Sequence, residues 1–209
     1  MSDRAPGSLL EVLEESRALG LLGPGPVARQ VEHARDLAVA IGDFDGRMLD
    51  LGSGGGLPGL VLLDQWPVAT GVLLDAQRRR CEFLTRAVAA LQLGARVTVE
   101  CGRAENLARD ERLRGSFDLV VARSFGPPPT TAECAIGFLR PGGELVVTEP
   151  PDAEGSASRW PSAALAQLGY GIARPLRVGE TGAVRISSPE PADGRWPRRE
   201  GVPTKRPLW

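Results

Sequence analysis

A run of small and acidic residues follows a short apolar segment near position 50. Residues 48–51 predict a buried strand, and residues 57–63 are apolar enough to begin a helix. Between them lies an Asp-x-Gly-x-Gly-x-Gly pattern, formed by Asp50, Gly52, Gly54 and Gly56. Glycine tolerates a positive φ and, having no Cβ, lets a ligand lie on the backbone. A strand, a glycine loop and a helix in this order predict a site for a nucleotide-like cofactor.

A second acid, Asp75, ends the next apolar run at 71–75. A carboxylate at the end of this strand accepts hydrogen bonds from ribose hydroxyls of a bound cofactor. The alternative is an ordinary acid that caps the following helix. The glycine loop upstream favours the ribose role.

Two cofactors are compatible with the loop. Gly54, Gly56 and Gly59 satisfy the dinucleotide spacing G-x-G-x-x-G, whereas the pattern that begins at Asp50 is typical of S-adenosylmethionine sites. Dehydrogenases usually need a proton relay, but the chain has one histidine, one tyrosine and one lysine, and no Tyr-x-x-x-Lys pair. These counts disfavour nicotinamide chemistry and favour S-adenosylmethionine.

The elements around the loop alternate between strands and helices. Two helices are predicted at 9–19 and 26–41, before the first strand. Further strands are predicted at 71–75, 96–101, 117–122 and 144–148, with helices at 77–93 and 132–139. A helix at 162–168 and two closing strands at 171–177 and 183–187 follow. This order predicts an α/β fold with a mostly parallel, doubly wound sheet and an N-terminal helical extension.

Length and composition predict one domain. The 209 residues suffice for a single α/β core, divided into N-terminal helices (1–42), a cofactor-binding core (43–188) and a basic, proline-rich, irregular tail (189–209). No apolar run reaches the roughly 20 residues of a membrane span, and no signal peptide is recognised. The three scattered cysteines indicate reduced thiols in a cytoplasmic protein, and no metal site is expected. For the oligomeric state, a monomer is the default expectation.

Charge is concentrated at the C-terminus. The formal net charge of −1 argues against a protein that coats nucleic acid by bulk attraction. The last fifteen residues nevertheless hold five cations, namely Arg195, Arg198, Arg199, Lys205 and Arg206.

Several segments together resemble the glucose-inhibited division protein B family, the small-subunit (16S) ribosomal RNA guanine-N7 methyltransferases. The matching segments are 49–59, 73–84, 102–105, 121–125 and 196–208, within a resemblance that covers about residues 26–209. The resemblance implies a Rossmann-like methyltransferase fold, S-adenosylmethionine as the methyl donor, and ribosomal RNA or the small ribosomal subunit as partner. By analogy, the cofactor contacts are Gly52, Leu57, Ala104, Glu105 and Arg123.

The residues after the fourth predicted strand are candidates for positioning the cofactor and the methyl acceptor. Arg123 could pair a carboxylate structurally, but the end of this strand opens onto the site, which favours positioning of cofactor or substrate. Phe125 packs in the core or stacks a base. Arg198, Arg199 and Lys205 are candidate RNA contacts. Guanine N7 carries a lone pair, so its methylation needs no general base, and catalysis by positioning is expected.

Three departures from the family pattern leave the acceptor open. An Asn-Leu-Thr segment is absent before His33, the family's Arg-His pair reads Glu32-His33, and the lysine that commonly follows strand five is replaced by the sequence Thr-Glu-Pro-Pro at 148–151. Two alternatives therefore remain: a methyltransferase of the same fold that acts on a small molecule, and a cofactor-binding module without transferase activity.

Overall fold

The computed structural model describes residues 7–149, 159–179 and 181–209. The strands are β1 (Arg47–Leu51), β2 (Thr70–Asp75), β3 (Val97–Cys101), β4 (Phe117–Ala122), β5 (Leu139–Glu149), β6 (Arg174–Val178) and β7 (Thr181–Ser188). The helices are α1 (Leu9–Ala18), α2 (Val27–Ile41), α3 (Gly59–Gln65), α4 (Arg78–Ala90), α5 (Ala104–Leu107), α6 (Pro128–Ile136), α7 (Ser162–Leu168) and α8 (Val202–Lys205). Within these residues, no helix is long and apolar enough to cross a membrane.

The strands form one seven-stranded sheet in the order β3-β2-β1-β4-β5-β7-β6. β1 to β5 are parallel, and β7 is antiparallel to both β5 and β6. The chain moves outward from β1 to β3 and then returns to β4 on the other side of β1. Ligands of open α/β sheets bind at such a reversal, outside the carboxyl ends of the strands.

Helices cover both faces of the sheet, with one apolar cluster under each layer. Helices α1 to α4 contribute to the first cluster, and α5, α6 and α7 to the second. Buried residues on strands β1, β2, β4 and β5 alternate between the two clusters, as strand geometry requires. The predicted α/β fold is confirmed, including its N-terminal helices and its closing antiparallel strands.

Several predicted boundaries were wrong, and those of α6 and β5 differ most from the structure. Helix α6 begins at Pro128, before the expected residue 132, because a proline fits the first turn of a helix, where its missing N–H costs nothing. Strand β5 begins at Leu139, because the segment 141–143 lies inside an irregular strand whose register with β4 shifts between Phe117 and Leu119.

The expectation of reduced cysteines holds for Cys134, which is free and buried, and was wrong for the other two. Cys81 and Cys101 are disulfide-bonded in the structure, with their Cα atoms 5.8 Å apart. Cys101 pairs in register with Asp75 at the end of β2, and Cys81 lies in the first turns of the helix that follows β2. The sheet thus brings together two residues that are 20 positions apart in sequence.

The C-terminal segment is less irregular than expected. It contains α8, and Trp196 is buried against the second apolar cluster. Arg114 donates hydrogen bonds to the carbonyls of Ala192, Asp193 and Trp196. The segment therefore packs on the body of the domain along α5 and α6.

Candidate cofactor and acceptor site

Three cavities meet at the carboxyl ends of β1, β2 and β4. The glycine-loop cavity, of about 350 Å³, is lined by Leu21, Leu22, Gly23, Gln30, Gly52, Ser53, Gly54, Gly55, Leu57, Arg80, Arg123 and Ser124. The Asp75 cavity, of about 220 Å³, is lined by Gly52, Leu74, Asp75, Ala76, Gln77, Arg80, Gly102, Arg103, Ala104, Glu105, Ser124 and Phe125. The Glu149 cavity, of about 350 Å³, is lined by Ser124, Gly126, Pro128, Val147, Thr148, Glu149, Arg159 and Trp160.

All the residues expected to hold a cofactor, except Asp50 and Gly56, line the first two cavities. Gly56 is buried, and a Cβ built on it would lie 2.4 Å from Leu60 Cδ1, so this glycine serves the packing of the loop. Asp50 lies beneath the loop and is fully buried. The motif therefore contains both residues that line the site and residues that shape it.

Asp50 holds the start of α3 against the sheet. The Gly59 N–H donates to Asp50 Oδ2 at 3.0 Å, and a Cβ on residue 59 would lie 2.3 Å from the same oxygen. Only glycine permits this approach. Oδ1 of Asp50 has no hydrogen-bond partner among the described residues. Burial raises the pKa of Asp50 to about 6, against the lowering effect of the hydrogen bond from Gly59 and of the Arg123 charge.

The backbone of the glycine loop fits a ligand lying on it. Gly54 has a φ of +55°, and the nearest atom to a Cβ built there is the Gly52 carbonyl oxygen at 3.8 Å. The face that a side chain would occupy therefore opens into the glycine-loop cavity. A β-branched side chain at this position would fill that cavity and strain the backbone.

Asp75 lies at the centre of the site and is already hydrogen-bonded. Its Oδ2 accepts from the Gly54 N–H at 2.9 Å and from Arg80 NH1 at 3.3 Å, and its Oδ1 accepts from the Gln77 N–H at 2.8 Å. A carboxylate offers about four acceptor positions, so one remains. A pair of ribose hydroxyls therefore requires the partly exposed Arg80 side chain to move away from Asp75.

Glu105 borders the Asp75 cavity at the start of α5 and is buried. Its Oε1 accepts from Arg103 NH2 at 3.1 Å and from the Gly201 N–H at 3.0 Å. Burial raises the pKa of Glu105, but the hydrogen bonds from Gly201 and Arg103 outweigh burial and hold that pKa below its ordinary value. Glu105 is thus an ionised acceptor at neutral pH.

Arg123 extends from the end of β4 into the glycine-loop cavity. Its NH2 donates to Gln30 Oε1 at 3.2 Å, and none of the ion pairs found among the described residues includes Arg123. Burial lowers the pKa of Arg123, and the negative charge of Asp50 partly offsets this effect. Together with Arg80, it makes this cavity suited to an anionic group.

Sequence reasoning missed two contributions to this region. The connection between α1 and α2 supplies Leu21, Leu22 and Gly23 to the glycine-loop cavity, and Ser16 donates a hydrogen bond to the Gly55 carbonyl at 2.9 Å. Ser124 lines all three cavities and has a φ of +55°, a conformation that is uncommon and costly for a non-glycine residue. No sequence signal marks Ser124, because its role follows from where β4 ends.

Phe125 follows Ser124 and lies toward the Asp75 cavity. A Cβ built on Gly52 would lie 2.6 Å from Phe125 Cδ2, so the ring covers that glycine. The ring lines the Asp75 cavity and does not line the Glu149 cavity. This position suits stacking on an adenine better than stacking on an acceptor base.

The tail residues expected to contact RNA differ in their surroundings. Arg198 forms a bidentate pair with the buried Glu133, through Nε at 2.8 Å and NH2 at 2.6 Å. Its guanidinium also donates to the Arg206 carbonyl. Arg199 and Lys205 are exposed. The geometry therefore gives Arg198 a structural partner and leaves Arg199 and Lys205 accessible to a ligand.

Solved structures share the fold of this chain. The fold resembles the O-methyltransferase from Bacillus cereus in complex with SAH (TM-score 0.60, 16% identity, 85% of this chain and 89% of that one). It also resembles cofactor-bound Rv0187 from MTB (TM-score 0.59, 23% identity, 86% and 88%). The fold is therefore of the Rossmann-like class to which this O-methyltransferase belongs.

Sequence comparison narrows this class to one family. The family model of GidB, rRNA small subunit methyltransferase G, matches residues 12–154. The chain is 36% identical over 170 residues to the ribosomal RNA small subunit methyltransferase G of Moorella thermoacetica. This match covers 78% of the chain and 69% of that protein. It is also 36% identical over 176 residues to the Deinococcus radiodurans protein of the same name (80% and 69%). The chain belongs to the GidB family.

Proposed function

We propose that this chain transfers a methyl group from S-adenosylmethionine to N7 of a guanine in small-subunit ribosomal RNA. The observation that carries the proposal is the position of Ser124, where the two cofactor-side cavities and the Glu149 cavity meet. A donor held on one side and a base held on the other would face each other at this residue. The names of the relatives support ribosomal RNA as the acceptor.

The chain's own residues divide the work of binding. Asp75 and Glu105 accept hydrogen bonds at the nucleoside end of the cofactor, and Phe125 covers its adenine. Arg123 and Arg80 orient the carboxylate of the methionine end within the glycine-loop cavity. When bound, S-adenosylmethionine supplies an electrophilic methyl group.

Catalysis then requires orientation more than proton transfer. Guanine N7 attacks through a lone pair and has no proton to lose. Consistent with this chemistry, the described residues that line the three cavities include no histidine, tyrosine or lysine. Leu21 and Leu22 shield the donor side from water, and Arg123 acts by positioning. A base held in line with the methyl group gains rate from proximity.

The RNA surface is assigned to the exposed cations of the tail, Arg199 and Lys205. Both lie near the cofactor site, because Gly201, between them, hydrogen-bonds Glu105. Ribosomal RNA as substrate places the protein's work in the cytoplasm, and a monomer suffices for it.

A labelling experiment tests this function. The protein is incubated with S-adenosylmethionine labelled in its methyl group and either small ribosomal subunits or cell extract freed of RNA. Label in the RNA supports the proposal. Label confined to small molecules of the extract supports the alternative acceptor, and binding without any transfer supports a non-catalytic module. Gly54→Val, which fills the glycine-loop cavity, is the matched blank.

A further inference from the structure

The Glu149 cavity contains a buried carboxylate that the proposed chemistry does not use. The side chain of Glu149 is 6% exposed and lies at the end of β5, the strand next to the β4 end that leads to Ser124, and both residues line this cavity. Arg159 forms an ion pair with its Oε2, and the Trp160 indole donates to its Oε1 at 2.7 Å. Burying a charge is costly unless it is paired and hydrogen-bonded, and here both oxygens are held.

The Glu149 carboxylate is held from several directions. Trp160 is itself buried, and the Trp209 indole donates to the Arg159 carbonyl at 3.1 Å. The last residue of the chain thus fixes the backbone of the residue that pairs with Glu149. A carboxylate so restrained presents its acceptors in one orientation.

The hydrogen-bonding capacity of Glu149 is only partly used by the described residues. A carboxylate has about four acceptor positions, and Arg159 and Trp160 occupy two of them. Among the described residues, nothing occupies the remaining position on each oxygen. Two acceptors side by side match a ligand that presents two neighbouring N–H donors.

Among the four RNA bases, guanine presents such a pair on its Watson–Crick edge. Its N1–H and N2–H lie next to each other, whereas adenine and cytosine place an acceptor beside their amino group and uracil has a single N–H between carbonyls. Enzymes that act on an extruded base read it by hydrogen bonds to this edge. N7 lies on the opposite side of the purine, so a guanine held by Glu149 at its Watson–Crick edge keeps N7 free to react.

We propose that Glu149 is the residue that selects guanine in the Glu149 cavity, by accepting hydrogen bonds from N1–H and N2–H of the acceptor base. Arg159 and Trp160 act as positioning residues that hold the carboxylate. The inference rests on the proposed methyl transfer to guanine. It assigns to the Glu149 cavity the recognition of the acceptor base, whereas the other two cavities bind the cofactor.

Nucleotide binding tests the selection without RNA. In the presence of saturating S-adenosylhomocysteine, the affinities of wild-type protein for GMP, IMP and AMP are measured by ligand-observed NMR titration. IMP lacks the 2-amino group, so it should bind about tenfold more weakly than GMP, the loss expected for a hydrogen bond to a charged group. Glu149→Gln should abolish this difference, because its amide offers a donor where the carboxylate has an acceptor. Equal affinities of GMP and IMP for the wild type overturn the proposal.

Turnover on RNA provides the second test. Glu149→Gln should lower kcat/KM for methylation of small ribosomal subunits by about 10- to 100-fold, the discrimination typical of a two-point base contact. Its affinity for S-adenosylhomocysteine should stay unchanged. Glu144→Gln is the matched control, because this glutamate lies on the same strand, pairs with Arg185 and lines none of the three cavities. Normal turnover by Glu149→Gln overturns the proposal.

The two tests separate this inference from the function on which it rests. If the wild type labels no RNA, the proposed function fails, and the comparison of GMP with IMP alone decides the role of Glu149. If the wild type methylates RNA and Glu149→Gln does so equally well, the function stands and the role of Glu149 is rejected. The wild-type nucleotide comparison is independent of whether the variant folds.

Discussion

Gly201 donates its backbone N–H to Glu105 Oε1 at 3.0 Å, across 96 positions of sequence. This hydrogen bond attaches the C-terminal segment to the wall of the Asp75 cavity. Arg109 adds a hydrogen bond to the Pro197 carbonyl, and Thr130 adds one to the Pro203 carbonyl at 3.1 Å. The tail is therefore a structural neighbour of the cofactor site, although its sequence reads as a basic, irregular extension.

Arg198→Ala should destabilise the fold strongly. The change leaves the carboxylate of Glu133, which is 0% exposed, without its charged partner. Breaking a buried pair in this way costs about 3–5 kcal/mol of unfolding free energy, which urea denaturation measures. Arg199→Ala is the control, since this neighbouring side chain is exposed and should change stability by less than about 0.5 kcal/mol. Equal stabilities of the two variants would contradict the structural role of Arg198.

Gly54→Val should abolish binding of S-adenosylmethionine and of its demethylated product in calorimetry. The valine side chain would occupy the open face of the glycine-loop cavity at a φ of +55°. Gly94→Val is the control variant. A Cβ built on Gly94 meets no atom within 4 Å, and Gly94 lines none of the three cavities. Retained affinity in Gly54→Val would show that the ligand does not lie on this loop.

The buried Asp50 predicts a pH dependence of stability. Its pKa is raised from about 3.9 in the unfolded chain to about 6 in the fold, so between these values the folded state binds more protons. Wild type should therefore lose stability relative to Asp50→Asn as the pH rises from about 4 to about 6. Two pKa units correspond to about 3 kcal/mol. The other titrating groups, including Glu105, are the same in both proteins, so their contributions cancel in the difference of stability.

Urea unfolding of both proteins at several pH values measures this difference. The asparagine carbonyl can still accept the hydrogen bond from Gly59, which keeps the start of α3 in place. Parallel stability curves for wild type and Asp50→Asn would show that Asp50 is ionised without penalty in the fold.

Arg199 and Lys205 predict the salt dependence of RNA binding. If each contacts a phosphate, Arg199→Ala or Lys205→Ala should reduce the slope of log affinity against log salt by about 0.7–1. Filter binding of small-subunit RNA over a range of salt concentrations gives the slope. Arg78→Ala, which removes an exposed cation paired with Glu82 on α4, should leave the slope unchanged. A slope unaffected by either tail substitution would remove the tail from the RNA surface.

The clustering of the proposed cofactor residues was predictable because its signals are local. Asp50, Gly54 and Asp75 belong to one strand–loop–helix–strand sequence, and the order of elements places their strand ends together. Glu105 required the resemblance to a family, since a lone acid at a helix start also fits a favourable dipole contact.

The remaining parts depend on contacts distant in sequence. The pairing of Cys81 with Cys101 follows from strand register, and the partner of Arg198 follows from how the tail folds back. The cavity at Glu149 requires Arg159 and Trp160, which no motif connects to it. Residues 150 and 151, the prolines that depart from the family pattern, lie outside the described residues.

The identity of the methylated atom decides whether this chain methylates guanine N7. Small ribosomal subunits from a strain that lacks this protein are incubated with it and with labelled S-adenosylmethionine, and the RNA is digested to nucleosides and separated by mass spectrometry. Transfer to N7 predicts that the label appears as 7-methylguanosine and that Gly54→Val yields none. Label in a different nucleoside, or in no RNA nucleoside at all, would contradict methyl transfer to guanine N7.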